Sequence, residues 1–215
     1  MKTLDELAFE TGIMPIIFAD DPDGVARAVT AIEQTAMPVM EILQRGDKAE
    51  ESLKRALSVK KNSYIGAGTI CTLEPCKRVV DLGADFIVSP GYNPEMVDWC
   101  VKNNVTIIPG VSNPSEVMMA ADAGLKTLKF FPFNELGGEK YMDGIAGPFP
   151  DVKFVITGFL DERDLHYLSN HRVSAIGGVW MFCGETDTSI ISSEEIISRM
   201  AMSANIANLY RHGWK

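Results

Sequence analysis

The sequence predicts a (β/α)8 barrel, the TIM-barrel class of α/β fold, with a short helix ahead of the first strand. Short apolar or β-branched runs recur along the 215 residues, and each is followed by a turn signal and then by a segment with helical spacing. The runs number eight. Alternating βα units can close as a barrel or lie open as a doubly wound sheet, and a count of eight favours closure.

Taken in order, Thr3 to Glu10 reads as the short leading helix, and IMPIIFA from Ile13 as the first strand. The next runs are PVMEILQ from Pro38, YIGAGTI from Tyr64, FIVSPG from Phe86 and TIIPGV from Thr106. TLKFFP from Thr127, KFVITG from Lys153 and VSAIGGVW from Val173 complete the set, with starts about 20 to 26 residues apart. Asn93-Pro94-Glu95 and Asn113-Pro114-Ser115-Glu116 place a capping side chain before a proline at the first helical position, so both read as helix starts. Ser192 with Glu195 resembles a capping box opening a last helix that runs toward Tyr210. No linker or low-complexity tract interrupts the pattern, and residues 1–215 read as one domain.

Composition narrows the classes. A 46% hydrophobic, 23% charged chain can bury a sizeable core, which excludes general disorder. A net charge of −9 and the absence of any Lys/Arg run remove the attraction that drives phosphate-backbone binding, so nucleic acid is not expected as a partner. MKTLDELAFETG carries acids where a signal peptide needs an apolar core, and no run of about 18 apolar residues occurs, so the reading is a cytoplasmic protein without a membrane span. Cys71, Cys76, Cys100 and Cys183 form no Cys-x-x-Cys pair and read as reduced packing residues. His166, His171 and His212 lack metal-ligand spacing; they read as surface or satisfied histidines, and no metal is expected.

In a barrel of this class the chemistry gathers at the C-terminal ends of the strands and in the loops after them. Lys129 in TLKFFP is the strongest local anomaly, an ammonium within an apolar run that reads as a buried parallel strand, on the same face as Thr127 and Phe131. Partial desolvation lowers a lysine pKa and leaves more free amine, as imine formation with a keto acid requires. Read alone, an edge lysine or a structural ion pair is the simpler account.

Glu41, Leu43 and Arg45 in PVMEILQR share one face because strand side chains alternate with period two. The carboxylate suits proton transfer and the guanidinium suits paired hydrogen bonds to a substrate carboxylate, although a structural salt bridge fits equally. In GAGT, residues 66–69, small residues permit close approach and Thr69 offers a hydroxyl at the strand end. Gly158 in ITGFL, and Gly177 with Gly178 in IGGVW, fall where barrels build anion sites from backbone amides, and turn glycines also occur there for structural reasons.

EILQR, GAGT, SPG (89–91), IPG (108–110), KFFP (129–132), IAGPF (145–149) and IGGVW together resemble the bacterial KDPG/KHG aldolase family, in the same order and at comparable spacing over roughly residues 13–185. Members release pyruvate from 2-keto-3-deoxy-6-phosphogluconate or 2-keto-4-hydroxyglutarate. The resemblance implies a class I aldolase without metal or organic cofactor. Lys129 would be the Schiff-base lysine and Glu41 the general acid/base. Arg45 and Thr69 would grip the pyruvyl carboxylate, Phe131 would shield the imine and Pro132 would shape the pocket floor. It also implies a homotrimer.

Two departures fall where phosphorylated substrates are held. Family members with such substrates show T-G-G and G-G-S-W, whereas this chain has Thr157-Gly158-Phe159 and Gly177-Gly178-Val179-Trp180. Phe159 is expected to fill space near a phosphate, and Val179 removes a hydroxyl donor. Leu43 also replaces a commonly polar position. The pyruvate half of the site is thus intact and the aldehyde half altered, which favours 4-hydroxy-2-oxoglutarate or another unphosphorylated keto acid. Competing readings are another pyruvate-imine lyase such as an oxaloacetate decarboxylase, a noncatalytic barrel that binds small keto acids, and an unrelated phosphate-binding barrel that would leave Lys129 unexplained.

Overall fold

The computed structural model describes residues 11–37, 39–183 and 189–213. The helix expected over Thr3–Glu10 and the first residue of the second run, Pro38, lie outside them.

The strands are β1 (Ile13–Ile17), β2 (Val39–Leu43), β3 (Tyr64–Gly68), β4 (Phe86–Val88), β5 (Thr106–Ile108), β6 (Gly110–Val111), β7 (Thr127–Phe130), β8 (Lys153–Thr157) and β9 (Val173–Gly178). The order in the sheet is β5-β4-β3-β2-β1-β9-β8-β7-β6, and every pairing is parallel. The two ends of this order, β5 and β6, are separated in the chain by Pro109 alone. The fifth run is therefore one strand interrupted where proline has no N–H to give to the ladder, and the sheet closes on itself as the expected TIM barrel. The Pro109 carbonyl still accepts the Lys129 amide at 2.9 Å, so the break keeps its link to β7.

The helices are α1 (Pro22–Ile32), α2 (Ala49–Val59), α3 (Leu73–Asp81), α4 (Pro94–Lys102), α5 (Pro114–Asp122), α6 (Gly138–Ala146) and α7 (Ser193–His212). After β8 the connection is a 3-10 helix, Glu162–Ser169, opened by a reciprocal capping box between Asp161 and Asp164. Asn93 Oδ1 accepts the Met96 amide at 3.0 Å and Asn113 Oδ1 the Glu116 amide at 3.1 Å, as the Asn-Pro signals predict. Ser192 Oγ accepts the Glu195 amide at 3.2 Å, while the Glu195 carboxylate turns to Arg199 one helical turn on, at 2.6 Å.

Apolar side chains pack in two places. A large cluster fills the space between sheet and helices. A second, of Met14, Val39, Phe86, Val88, Ile108, Val155 and Ala175, plugs the barrel interior. Gly66 makes room for it, since a Cβ there would overlap the Phe86 ring. Strand alternation carries this inward face upward, so that Ile16, Glu41, Thr157 and Gly177, each two residues beyond a member of the plug, form the next layer toward the C-terminal mouth. Among the described residues no helix is long and apolar enough to cross a membrane.

Candidate active site

Glu41 and Lys129 meet in this layer. Glu41 stands on β2 and Lys129 on β7, on opposite sides of the barrel, with Nζ 3.6 Å from Oε1. Both are buried, at 1% and 7% exposure, so the carboxylate and the amine share a largely dry space. At 3.6 Å the pair is an ionic contact rather than a hydrogen bond, and the buried Glu41 Oε1 has no hydrogen-bond partner. An unsatisfied carboxylate oxygen in a barrel interior is costly, and the cost is offset when a ligand or water supplies the missing donor. Gly68 leaves space for the carboxylate to lie against β3, because a Cβ there would stand 2.6 Å from Glu41 Cγ.

Around this pair the sequence-predicted residues fall in three groups. Phe131 is half-buried, and its ring centroid lies 5.4 Å from Lys129 Nζ, one face of the amine's surroundings. Arg45 and Thr69 are joined at the rim, with Arg45 Nε donating to Thr69 Oγ1 at 3.0 Å. Thr69 adopts φ 62, a left-handed conformation that a β-branched residue rarely takes, and it directs the hydroxyl at the guanidinium. The third group is the glycines. Gly158 has φ 119 and brings its backbone to Pro132, whose Cα would lie 3.1 Å from a Cβ at that position. Gly177 faces inward, where a Cβ would meet Thr157 Cγ2 at 2.6 Å and Ile16 Cδ1 at 3.0 Å. Gly178 faces the other way. A Cβ there would overlap the Trp180 ring and stand 2.7 Å from the Leu160 carbonyl oxygen, so its missing side chain serves packing.

One expectation is corrected. Phe159 does not fill the space beside the loop after β8: its side chain is 93% exposed, and φ 54 at that residue accompanies this outward turn. Val179 is half-buried.

Thr157 is a site residue that the motif comparison passed over. It is 2% exposed and its Oγ1 is buried without a hydrogen-bond partner, a second unsatisfied polar atom in the layer that holds Glu41 and Lys129. The signal was present in KFVIT, where a hydroxyl stands two residues beyond the inward Val155. Away from the site, His166, His171 and His212 are all exposed, and all four cysteines are free thiols.

A family model described as KDPG and KHG aldolase matches residues 4–197. The chain is 32% identical over 182 residues to a 2-dehydro-3-deoxy-phosphogluconate aldolase of Treponema pallidum, covering 84% of this chain and 87% of the relative. It is 31% identical over 182 residues to the KHG/KDPG aldolase of Escherichia coli, covering 84% and 85%. Among solved structures, the KDPG aldolase from Legionella pneumophila, with pyruvate captured at low pH as a covalent carbinolamine intermediate, superposes with a TM-score of 0.79 at 26% identity, over 100% of this chain and 99% of that one. A closed parallel barrel holding a buried amine beside a buried carboxylate, with sequence similarity of this extent, places the chain in the KDPG and KHG aldolase family of carbon–carbon lyases.

Proposed function

We propose that this chain is a class I aldolase that cleaves 4-hydroxy-2-keto acids to pyruvate and an aldehyde through an imine on Lys129. The contact between Lys129 and Glu41 inside the barrel is the observation that carries this reading. An amine buried at 7% exposure, beside a carboxylate able to relay protons, is the equipment imine chemistry requires. The captured carbinolamine of the Legionella pneumophila relative supports the same chemistry here.

Lys129 Nζ attacks the C2 carbonyl of the keto acid, whose carboxylate is held at the rim by Arg45 and Thr69. Loss of water from the carbinolamine leaves a protonated imine. Glu41, through a water, accepts the C4 hydroxyl proton as the C3–C4 bond breaks; its electron pair passes into the C2–C3 enamine, and the aldehyde departs. Protonation at C3 and hydrolysis of the imine release pyruvate and return the amine. Phe131 covers the amine and Thr157 supplies a hydroxyl to the oxygens of the bound chain.

The preferred aldehyde is unphosphorylated, as from 4-hydroxy-2-oxoglutarate. The half-buried aliphatic side chain of Val179 supports this, since it stands where phosphate-handling members carry a hydroxyl. The protein acts in the cytoplasm as a homotrimer. Family resemblance supports the trimer, as do the exposed apolar side chains of Val101, Met118, Met119 and Tyr141 on the consecutive helices α4, α5 and α6.

Borohydride reduction in the presence of pyruvate, followed by peptide mass spectrometry, tests the core of the reading. A reduced adduct on Lys129, absent from Lys129→Ala, is expected. A folded protein that traps no pyruvate would instead be a noncatalytic barrel.

A further inference from the structure

The loop after β9 is tied to one stripe of α7. Arg199 Nη1 donates to the carbonyl oxygens of Trp180 at 2.8 Å and Cys183 at 2.9 Å, and so spans the turn that the Phe182 amide closes on the Val179 carbonyl. One helical turn on, the buried Ser203 Oγ accepts the Trp180 indole N–H at 3.0 Å. One turn back, the Glu195 carboxylate accepts from Arg199 Nη2 at 2.6 Å. Glu195, Arg199 and Ser203 are spaced four apart and lie along one face of the helix. An i,i+4 ion pair contributes little by itself. The two bonds from Nη1 differ in kind, because they leave the helix and fix the backbone of a loop.

That loop stands on the side of the mouth away from Arg45 and Thr69. With β5 and β6 counted as one strand, β2 and β3 face β7 and β8 across the closed sheet, and β9 is the next neighbour of β8. A keto acid held at C1 by Arg45 and Thr69 and bonded at C2 to Lys129 therefore crosses the mouth toward β8 and β9. The inner face is open there, since Gly177 carries no side chain, and the loop begins two residues later. We infer that Arg199 is a positioning residue for the aldehyde half of the substrate, holding the loop after β9 as the wall against which that half is bound. The inference rests on the imine reading above. Arg199 stands on α7, outside the sheet, and acts only through the loop carbonyls that it clamps. A loop already ordered need not be ordered when substrate arrives, so the clamp strengthens binding of the aldehyde half and leaves the chemistry at Lys129 and Glu41 unchanged.

The test separates the two halves of the reaction. Exchange of the pyruvate C3 protons with solvent deuterium needs the imine and a base but no aldehyde, whereas addition of pyruvate to glyoxylate or glyceraldehyde 3-phosphate needs both halves. In Arg199→Ala, the KM for whichever of these aldehydes the wild type adds is expected to rise about 10-fold, the effect of losing a hydrogen bond from a charged donor. Pyruvate exchange is expected to stay within about 2-fold of wild type. Ser203→Ala keeps every charge, removes the acceptor of the Trp180 N–H, and is expected to raise the same KM about 3-fold. A merely structural role would lower the amount of active protein, so that exchange and addition fall together and KM stays where it was. An unchanged aldehyde KM in folded Arg199→Ala overturns the inference, as does a parallel loss of exchange and addition. Should Arg199→Ala fail to fold, an unchanged KM in Ser203→Ala overturns it instead. Wild-type protein that exchanges pyruvate but adds neither aldehyde rejects the wall alone; wild-type protein that exchanges none rejects the imine reading beneath it.

Discussion

Gly68 and Glu41 are matched across neighbouring strands: the carboxylate lies in the space that a side chain at Gly68 would fill, with Glu41 Cδ 2.7 Å from that Cβ position. The glycine of GAGT thus serves the acid of EILQR, a relation between two motifs that neither shows alone. Gly68→Ala is expected to push the carboxylate away from Lys129 and to lower kcat by about 100-fold, the size of effect that a displacement of about 1 Å produces. Steady-state kinetics beside a thermal melt check this; loss of activity only in parallel with loss of folding would contradict it.

Glu41→Gln keeps the shape of the side chain and removes its proton-accepting charge. Turnover is expected to fall by about 10² to 10⁴-fold. Pyruvate should still be trapped by borohydride, because Lys129 remains to form the bond. A variant that turns over normally would assign the proton transfers to another group.

Phe159 holds φ 54 with its ring in solvent, so the residue bears a backbone cost that no packing repays. Phe159→Gly removes the cost and is expected to stabilise the protein by about 1 kcal/mol, read from denaturant unfolding. Because the ring lies outside the pocket, the aldehyde preference should not change.

Glu33 binds the turn that leads into β3. Its carboxylate accepts the Ser63 hydroxyl at 2.6 Å and the amides of Lys61, Asn62 and Ser63 at 2.8, 3.1 and 3.0 Å. Burial pushes its pKa up, but the hydrogen bonds from the Ser63 hydroxyl and the three amides outweigh that and bring it from 4.5 to about 2. A depressed folded value contributes stability above the ordinary carboxylate range and loses it as pH falls from about 4.5 toward 2. Glu33→Gln is expected to cost about 1 to 2 kcal/mol at neutral pH and almost nothing near pH 2. Unfolding curves across that range give the answer, and a pH-independent difference would contradict the assignment.

Cys71 is exposed, whereas Cys76 and Cys100 are buried in contact between α3 and α4 with their sulfurs 3.6 Å apart. A thiol reagent should label Cys71 rapidly in the native protein and reach Cys76 and Cys100 only on unfolding. Rapid labelling of all three would mean that the α3–α4 contact opens readily.

The sequence by itself determined the barrel and much of its chemistry. Short apolar runs alternating with capped helices specify parallel strands, and Asn-Pro signals mark helix starts because a side-chain oxygen and a ring without an N–H each satisfy a local requirement. The alternation in EILQR and TLKFFP, read with the family resemblance, singled out Glu41, Arg45 and Lys129. These are local rules, and local rules are written in consecutive residues.

Only the tertiary structure decided what depends on closure. That Lys129 meets Glu41 at 3.6 Å, that Gly68 yields to the carboxylate and that Thr157 keeps an unpartnered hydroxyl all require strands far apart in the chain to be brought round one axis. The same holds for Pro109, which lies inside the run TIIPGV and divides it into the two pieces, β5 and β6, that end the strand order. It holds too for Phe159, whose ring points to solvent, an orientation that its own chemistry does not dictate. Residue type sets what a side chain can do; the register and tilt of a closed sheet, a property of all its strands at once, set what it faces.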